Sequence, residues 1–132
     1  MRIAVCYNLA PQTPQRGERR DLISEEGAAH EADAVAQALA SLGHTVERIA
    51  LGEELAPFLE NLALFRPKVC FNLCEAFWGE SHLEANVAGL YPMLSIPFTG
   101  NTLTALSLTQ DKAHTKALLA REGIPTPPWL VV

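Results

Sequence analysis

Short apolar runs alternate with amphipathic helical patterns along the chain, and this alternation limits the possible folds more than any other feature. The run RIAVCY at 2–7 is rich in β-forming residues and predicts a buried strand. Helical segments separate it from three further predicted strands, HTVERIAL, KVCFNL and SIPFTG. Strands that alternate with helices need right-handed crossovers, which make them parallel. We therefore predict an α/β domain with a mainly parallel sheet of about four strands and helices on both faces.

The boundaries of these elements are also marked in the sequence. Ser24 is a good helix N-cap, an apolar face follows it, and Gly43 supplies the end of that helix. Pro97 confines the fourth strand to an edge of the sheet, because proline has no N–H to donate. The other helical segments are predicted at 53–64, at 81–91 with Pro92 as its end, and at 102–108. Asp111 caps or opens the last predicted helix, which ends at Gly123.

Charge and composition restrict the partners of the chain. Its 132 residues carry a formal net charge of -5, which argues against a general nucleic-acid or membrane-surface binder. There is no apolar run of about 20 residues and no signal-peptide pattern at the start, so a cytoplasmic location is expected. Three cysteines, an odd number, favour reduced thiols over a disulfide framework.

Ligands of an open parallel sheet bind beyond the carboxyl ends of its strands. This rule indicates the loop after Tyr7, the turn after Leu73 and the stretch after Thr99. The long loop at 8–20 has neither the glycine pattern of a dinucleotide site nor a P-loop. A self-sufficient nucleotide-binding domain is therefore not expected.

The turn CEAFWGES places Glu75 and Glu80 on either side of Phe77, Trp78 and Gly79. Two carboxylates at the working edge of the sheet could hold a ligand ammonium group. The alternative is structural, with a carboxylate that offsets the helix dipole and Trp78 as an aromatic residue at the rim.

Lys112 and Lys116 are unusual because they lie four residues apart near the positive end of a predicted helix. Both the dipole and their mutual repulsion disfavour them there, and a bound anion would relieve both effects. Each effect is worth only about 0.3–1 kcal/mol, so charge pattern alone favours two solvated lysines.

Cys70, Cys74 and His82 suggest a metal site, but their spacing matches no zinc template and no fourth ligand is evident. Structural thiols are the favoured interpretation, and no metal ligand is assigned. A nucleophilic pair of Cys74 and His82 is the other alternative, without an orienting partner in the sequence.

From Lys68 onward, three motifs occur together: GES at the start of a helix, the strand IPFTG, and DKAHTKALLAREGIPTPP. Their order and spacing resemble the N-terminal, pre-ATP-grasp domain of the ATP-grasp ligases, closest to the D-alanine–D-alanine ligases. The resemblance implies a Rossmann-like three-layer domain at 1–124. It also implies that 125–132 is a proline hinge and the first strand, WLVV, of a central ATP-grasp domain.

The resemblance implies an ATP- and Mg²⁺-dependent carboxylate–amine ligase that acts through an acyl phosphate and is inactive as this domain alone. Lys112 would contact the nucleotide phosphates, while Glu25, Glu75 and Glu80 would lie on the amino-acid side. No catalytic residue is expected within this domain, and most of the ATP and Mg²⁺ contacts would come from other domains. Dimerisation through this domain is a further implication.

The chain departs from the family pattern on the substrate side. Glu75 stands where a histidine commonly opens the acidic turn, and YNLAPQTPQRGERRDLISEE replaces the usual glycine pair and serine–glutamate segment. A product other than D-alanyl-D-alanine is therefore plausible. The alternative functions are a non-catalytic dimerisation or regulatory module, and an independent small-molecule binder of flavodoxin-like architecture.

Overall fold

A three-stranded parallel sheet forms the centre of the computed structural model, which describes residues 1–9 and 21–130 without the side chains of 21–26. The strands are β1 (Arg2–Asn8), β2 (Thr45–Leu51) and β3 (Val69–Leu73), in the spatial order β2-β1-β3. The α-helices of the described ranges are α1 (Asp21–Ser41), α2 (Leu55–Phe65), α3 (Glu84–Met93), α4 (Leu103–Gln110) and α5 (Lys112–Arg121).

The sheet is covered by helices on both faces, as the alternating sequence pattern predicts. Five consecutive residues of the central strand β1 are buried, because both of its faces are packed. Val5 and Tyr7 pack with Ala32 of α1 on one face. Ala4 and Cys6 belong to the second apolar cluster, which includes Phe58 and Leu62 of α2 and Val87 and Tyr91 of α3. The predicted α/β class and the parallel sheet are confirmed.

The predicted fourth strand is wrong, since SIPFTG contributes only an isolated parallel bridge between Phe98 and Cys70. The Cys70 N–H donates to the carbonyl of Pro97 at 2.9 Å, and the Thr99 N–H donates to the carbonyl of Cys70 at 3.0 Å. At the next position the Asn72 N–H is satisfied by the Thr99 hydroxyl at 3.0 Å instead of a backbone carbonyl. The chain then turns at Gly100, where φ is 104°. The edge pairing therefore stops after one bridge.

Two predicted helix boundaries also differ from the structure. Helix α1 begins at Asp21, so Ser24 is its fourth residue and not its cap. Pro92 lies within the last turn of α3 and does not end it, because a proline there removes a single backbone hydrogen bond close to the helix end. A short 3-10 turn, Ser81–Leu83, precedes α3.

The last predicted element lies partly outside the structure. Trp129 and Leu130 are described and exposed, and they lie outside any strand. Residues 131–132 lie outside the described part, so a strand that begins at WLVV stays a prediction. No helix in the described ranges is long and apolar enough to cross a membrane.

Candidate functional site

A cleft of about 710 Å³ opens where the three strands end at their carboxyl ends. Strand ends contribute Asn8 from β1, Leu51 from β2 and Leu73 from β3 to its lining. The segments that follow them, together with residues of α1, α3 and α4 and of the 100–101 turn, complete the walls. Parallel strands place all their carboxyl ends on one edge, so the position predicted for a ligand is the position of the cleft.

Asn8 holds the turn after β3 in place. Its side-chain Nδ2 donates to the Ala76 carbonyl at 2.8 Å. Its Oδ1 accepts hydrogen bonds from the Glu75 and Ala76 N–H groups at 2.8 and 3.2 Å. One amide thus uses its donor and acceptor groups to attach the end of β1 to the segment that carries Glu75. Asn8 is a structural clamp at the edge of the cleft.

The turn itself is closed by its own backbone. Phe77 and Glu80 exchange backbone hydrogen bonds of 3.3 and 2.9 Å, and the two residues between them have positive φ, 54° at Trp78 and 68° at Gly79. Glycine adopts this conformation freely, whereas a bulky side chain does so rarely. The Trp78 indole donates from Nε1 to the Glu53 carbonyl at 2.5 Å, which connects the turn to the segment after β2.

The half-buried Asn72 and the buried Tyr91 support the floor of the cleft. Asn72 lines the cleft, and its Oδ1 accepts from the Tyr91 hydroxyl at 2.8 Å and from the Cys74 N–H at 3.3 Å. Burial raises the pKa of the Tyr91 hydroxyl well above its usual range. The Tyr91 hydroxyl is therefore neutral, like the Asn72 amide. The two side chains fix the floor of the cleft through hydrogen bonds and not through charge.

The three cysteines lie in the core next to this floor. All are free and buried. Burial raises the pKa of the Cys74 thiol, and a hydrogen bond with Cys6, followed by burial, raises the pKa of the Cys70 thiol. A protonated, inaccessible thiol is a poor nucleophile. The interpretation of Cys70 and Cys74 as structural thiols fits this environment, while the side chain of His82 is 68% exposed and pairs with Glu80 at 3.4 Å.

The cleft has a strongly acidic lining. Four glutamates contribute to it, namely Glu31, Glu53, Glu75 and Glu84. Among the described residues, no lysine, arginine or histidine lines the cleft. Glu84 accepts a hydrogen bond from Gln110 Nε2 at 3.1 Å, which ties α3 to the end of α4. Such a lining favours a cationic group of a ligand and disfavours a phosphate.

The predicted site residues are only partly brought together. Glu75 lines the cleft. Glu80 lies on the same turn, but its carboxylate is directed to the 3.4 Å pair with His82, and it is not among the lining residues. Glu25 lies in α1, two residues before the lining residue Gly27, and its side chain is outside the described part.

The two lysines of the anomalous pair have different environments. Lys116 Nζ donates to the Thr126 hydroxyl at 2.9 Å and to the Pro127 carbonyl at 3.1 Å, so it fixes the proline segment against α5. Lys112 is exposed at the first position of α5, and its side chain makes no hydrogen bond or ion pair with a residue that the structure describes. Its ammonium group is therefore available to a ligand, although it does not line the cleft.

Asp111 caps the helix that carries these lysines, as predicted. Its Oδ1 accepts from the His114 N–H at 2.9 Å, and its Oδ2 lies 2.7 Å from His114 Nδ1. The backbone hydrogen bond from His114 lowers the pKa of the Asp111 carboxyl below its ordinary value of 3.8. The start of α5 next to Lys112 is thus held in a fixed geometry.

Several lining residues were not predicted from the sequence. Asn8 and Asn72 were missed because asparagine is common where a strand passes into a loop, so its presence there indicates no particular role. Residue spacing also gives no sign of a long-range hydrogen bond. Glu31 and Glu53 lie on a helix and a loop that come together only in three dimensions. The one signal in the sequence that could have identified them is a position near the end of a predicted strand. Asn8, Asn72 and Glu53 have such a position, and Glu31 does not.

The donor set does not form a metal centre. Within the described residues, no group of three or more histidine, cysteine, aspartate or glutamate side chains is arranged to hold an ion. The four glutamates of the cleft therefore do not supply such a group.

Together, the parallel sheet and the acidic cleft at its carboxyl edge define an α/β domain suited to small polar ligands. No protein-family model matches the chain. It is 42% identical over 97 residues to the D-alanine–D-alanine ligase of Moorella thermoacetica, and 37% identical over 94 residues to that of Caulobacter vibrioides. These alignments cover 74% and 71% of this chain but only 29% and 27% of the two ligases.

The fold agrees with these sequence matches. A crystal structure of D-alanine–D-alanine ligase from Bacillus anthracis complexed with ATP matches 98% of this chain and 39% of that chain, with a TM-score of 0.72 and 21% identity. The resemblance inferred from the motifs is confirmed: the chain is homologous to one part of the D-alanine–D-alanine ligases. It spans less than a third of the length of the two relatives.

Proposed function

We propose that this domain forms the amino-acid side of an ATP-dependent carboxylate–amine ligase. The observation that supports it most is the acidic cleft at the carboxyl edge of the sheet, in a chain 42% identical to a D-alanine–D-alanine ligase. In the proposed reaction a substrate carboxylate takes the terminal phosphoryl group of ATP, and the amine of a second amino acid then displaces phosphate to form the amide bond. The chain spans under a third of that relative, so other protein segments complete the reaction.

Glu75 is the residue proposed to bind a substrate ammonium group. It lines the cleft, its side chain is exposed to a ligand, and its backbone is fixed by the 2.8 Å hydrogen bond to Asn8. A positioned carboxylate gains most from a charged donor such as an amino-acid ammonium group. Glu25 and Glu80 remain proposed contributors on the same side, Glu80 through the turn that it shares with Glu75.

Lys112 is proposed to contact the phosphates of ATP. The acidic cleft does not fit a triphosphate, because four carboxylates repel it. Lys112 lies outside this cleft, exposed on the positive end of α5, where an anion is favoured. The nucleotide would therefore be held mainly by protein outside this domain, as would Mg²⁺, for which the described residues offer no set of ligands.

Calorimetric titration with D-alanine tests the amino-acid site. We expect the 132-residue chain to bind D-alanine, and Glu75→Gln to weaken binding by about 10- to 150-fold, since one charge-assisted hydrogen bond is worth about 1.5–3 kcal/mol. Glu60→Gln is the matched control, because Glu60 is exposed on α2 and does not line the cleft. Equal affinity of Glu75→Gln and wild type would remove Glu75 from the site.

The phosphate role is tested in a longer ligase that contains this domain. Lys112→Ala should raise KM for ATP without lowering thermal stability, whereas Lys68→Ala, also an exposed lysine, should change neither. Unchanged KM and kcat in Lys112→Ala would reject the role.

The 132-residue chain alone should release no phosphate from ATP in the presence of D-alanine, because phosphoryl transfer depends on positioning and charge neutralisation. Turnover by the chain alone would contradict this part of the proposal. Sedimentation of the same sample measures self-association through this domain. This measurement also tests the alternative of a non-catalytic dimerisation module.

A further inference from the structure

Trp78 is exposed and yet held in a fixed position. It is 57% exposed, its Nε1 donates to the Glu53 carbonyl at 2.5 Å, and its ring stacks on Phe77 with 4.9 Å between centroids. Its backbone is in the left-handed region, with φ of 54°, which bulky residues rarely adopt. Burial in the core does not explain this residue, because more than half of it faces solvent at the cleft. A fixed, exposed indole is well suited to contact a ligand.

Leu9 is a second exposed apolar side chain at the same part of the rim. It lines the cleft, is 57% exposed, and follows directly after β1. Its N–H donates to the Leu51 carbonyl at 2.9 Å, next to Gly52, which also lines the cleft. Leu9 and Trp78 are thus both hydrogen-bonded to the chain at the end of β2, Leu9 through its backbone N–H to Leu51 and Trp78 through its indole N–H to Glu53. They are the exposed large apolar side chains among the residues that line the cleft.

We propose that Leu9 and Trp78 form a subsite that receives the apolar side chain of the amino-acid ligand and makes Trp78 a specificity-determining residue. This inference rests on the proposed function, because the carboxylates of the cleft would hold the ammonium group while the rim contacts the side chain. Other leucines also line the cleft, but Leu51 is buried and Leu73 and Leu106 are half-buried, so the indole face and Leu9 offer the most accessible apolar surface to a methyl group. The ligand class is a small amino acid with an aliphatic side chain.

Comparison of D-alanine with glycine isolates this contact, because the two differ by a single methyl group. We expect wild type to bind D-alanine about four-fold more tightly than glycine, which is the contribution of one buried methylene-sized group. Trp78→Ala should bring the ratio of the two dissociation constants close to one. Trp129→Ala is the matched control: this second tryptophan is 42% exposed, does not line the cleft, and should keep the wild-type ratio.

The ratio separates a ligand contact from a structural role. If Trp78 only attached the turn to the 52–53 segment, Trp78→Ala would weaken both ligands equally and leave their ratio unchanged, and that result would overturn the subsite. Equal binding of D-alanine and glycine by wild type would also overturn it, while the ammonium site of the proposed function would stand. Binding of neither compound by wild type would overturn the proposed function and the subsite together.

Fluorescence gives a measurement that does not depend on the folding of Trp78→Ala. The sequence has two tryptophans, so Trp129→Phe leaves Trp78 as the only indole. Its emission should change with D-alanine and saturate at the dissociation constant that calorimetry gives. Calorimetric binding without a change in Trp78 emission would overturn the subsite. In Trp78→Phe, whose remaining indole is Trp129, D-alanine should cause no such change.

Discussion

Removal of the Asn8 side chain should destabilise the domain and disorder the turn that carries Glu75. The Asn8 amide makes three hydrogen bonds of 2.8, 2.8 and 3.2 Å to the backbone of Glu75 and Ala76. Each bond has a net value of about 1 kcal/mol, so Asn8→Ala should cost about 2–3 kcal/mol. In urea unfolding this corresponds to a midpoint that is about 0.7–3 M lower, for a slope of about 1–3 kcal/mol/M.

Two further variants make this prediction specific. Asn8→Asp keeps an oxygen that accepts from the two N–H groups but places a second oxygen against the Ala76 carbonyl, so its stability should lie between Asn8→Ala and wild type. Asn61→Ala is the control, because Asn61 is exposed on α2 and alanine is the better helix former. A loss below about 0.5 kcal/mol in Asn8→Ala would refute the clamp, since that is the range of ordinary surface substitutions.

Three other predictions follow from the structure. Asp111→Ala should lower the melting temperature. The difference in melting temperature from wild type should shrink as the pH falls below 3.8, because the lowered pKa of Asp111 stabilises the fold only while the carboxyl is ionised. Thr102→Ala removes an uncharged cap, so its loss in melting temperature should be independent of pH. A constant Asp111→Ala difference down to low pH would contradict this. Tyr91→Phe should cost about 1 kcal/mol in urea unfolding, because it removes the 2.8 Å hydrogen bond to Asn72, and an unchanged midpoint would show that the bond contributes nothing. The three buried thiols should react with a thiol reagent no faster than the chain unfolds, and rapid reaction of the folded protein would contradict their burial.

The extent of prediction from sequence differs between the fold and the site. The strands at RIAVCY and KVCFNL were predictable from apolar runs that suit buried strands. HTVERIAL was predictable as a short stretch with β-forming residues after Gly43, although only Ile49 and Leu51 of that strand are fully buried. SIPFTG was also predicted to be a strand, yet the structure gives it one bridge, because the Thr99 hydroxyl and not a backbone carbonyl accepts from Asn72. The Asn72–Thr99 hydrogen bond joins residues that are 27 positions apart, so no local sequence pattern contains it.

The site shows the same division in its side chains. Glu75 was identified from its place after a predicted strand, and the structure puts it in the cleft. The spacing of Lys112 and Lys116 made them equivalent, but only the packing of the proline segment against α5 shows that Lys116 is engaged and Lys112 is exposed. The role of Lys112 at a phosphate stays a prediction.

The sequence by itself determined the α/β class, the parallel strands that follow from the alternation of strands with helices, the Asp111 cap, and the homology to D-alanine–D-alanine ligases. These properties depend on local periodicity, on turn chemistry and on motifs of neighbouring residues. Only the tertiary structure decided that Asn8 clamps the acidic turn, and that the indole of Trp78 reaches the Glu53 carbonyl. Such contacts form between residues far apart in the chain, so their geometry exists only after the sheet has brought the strand ends together.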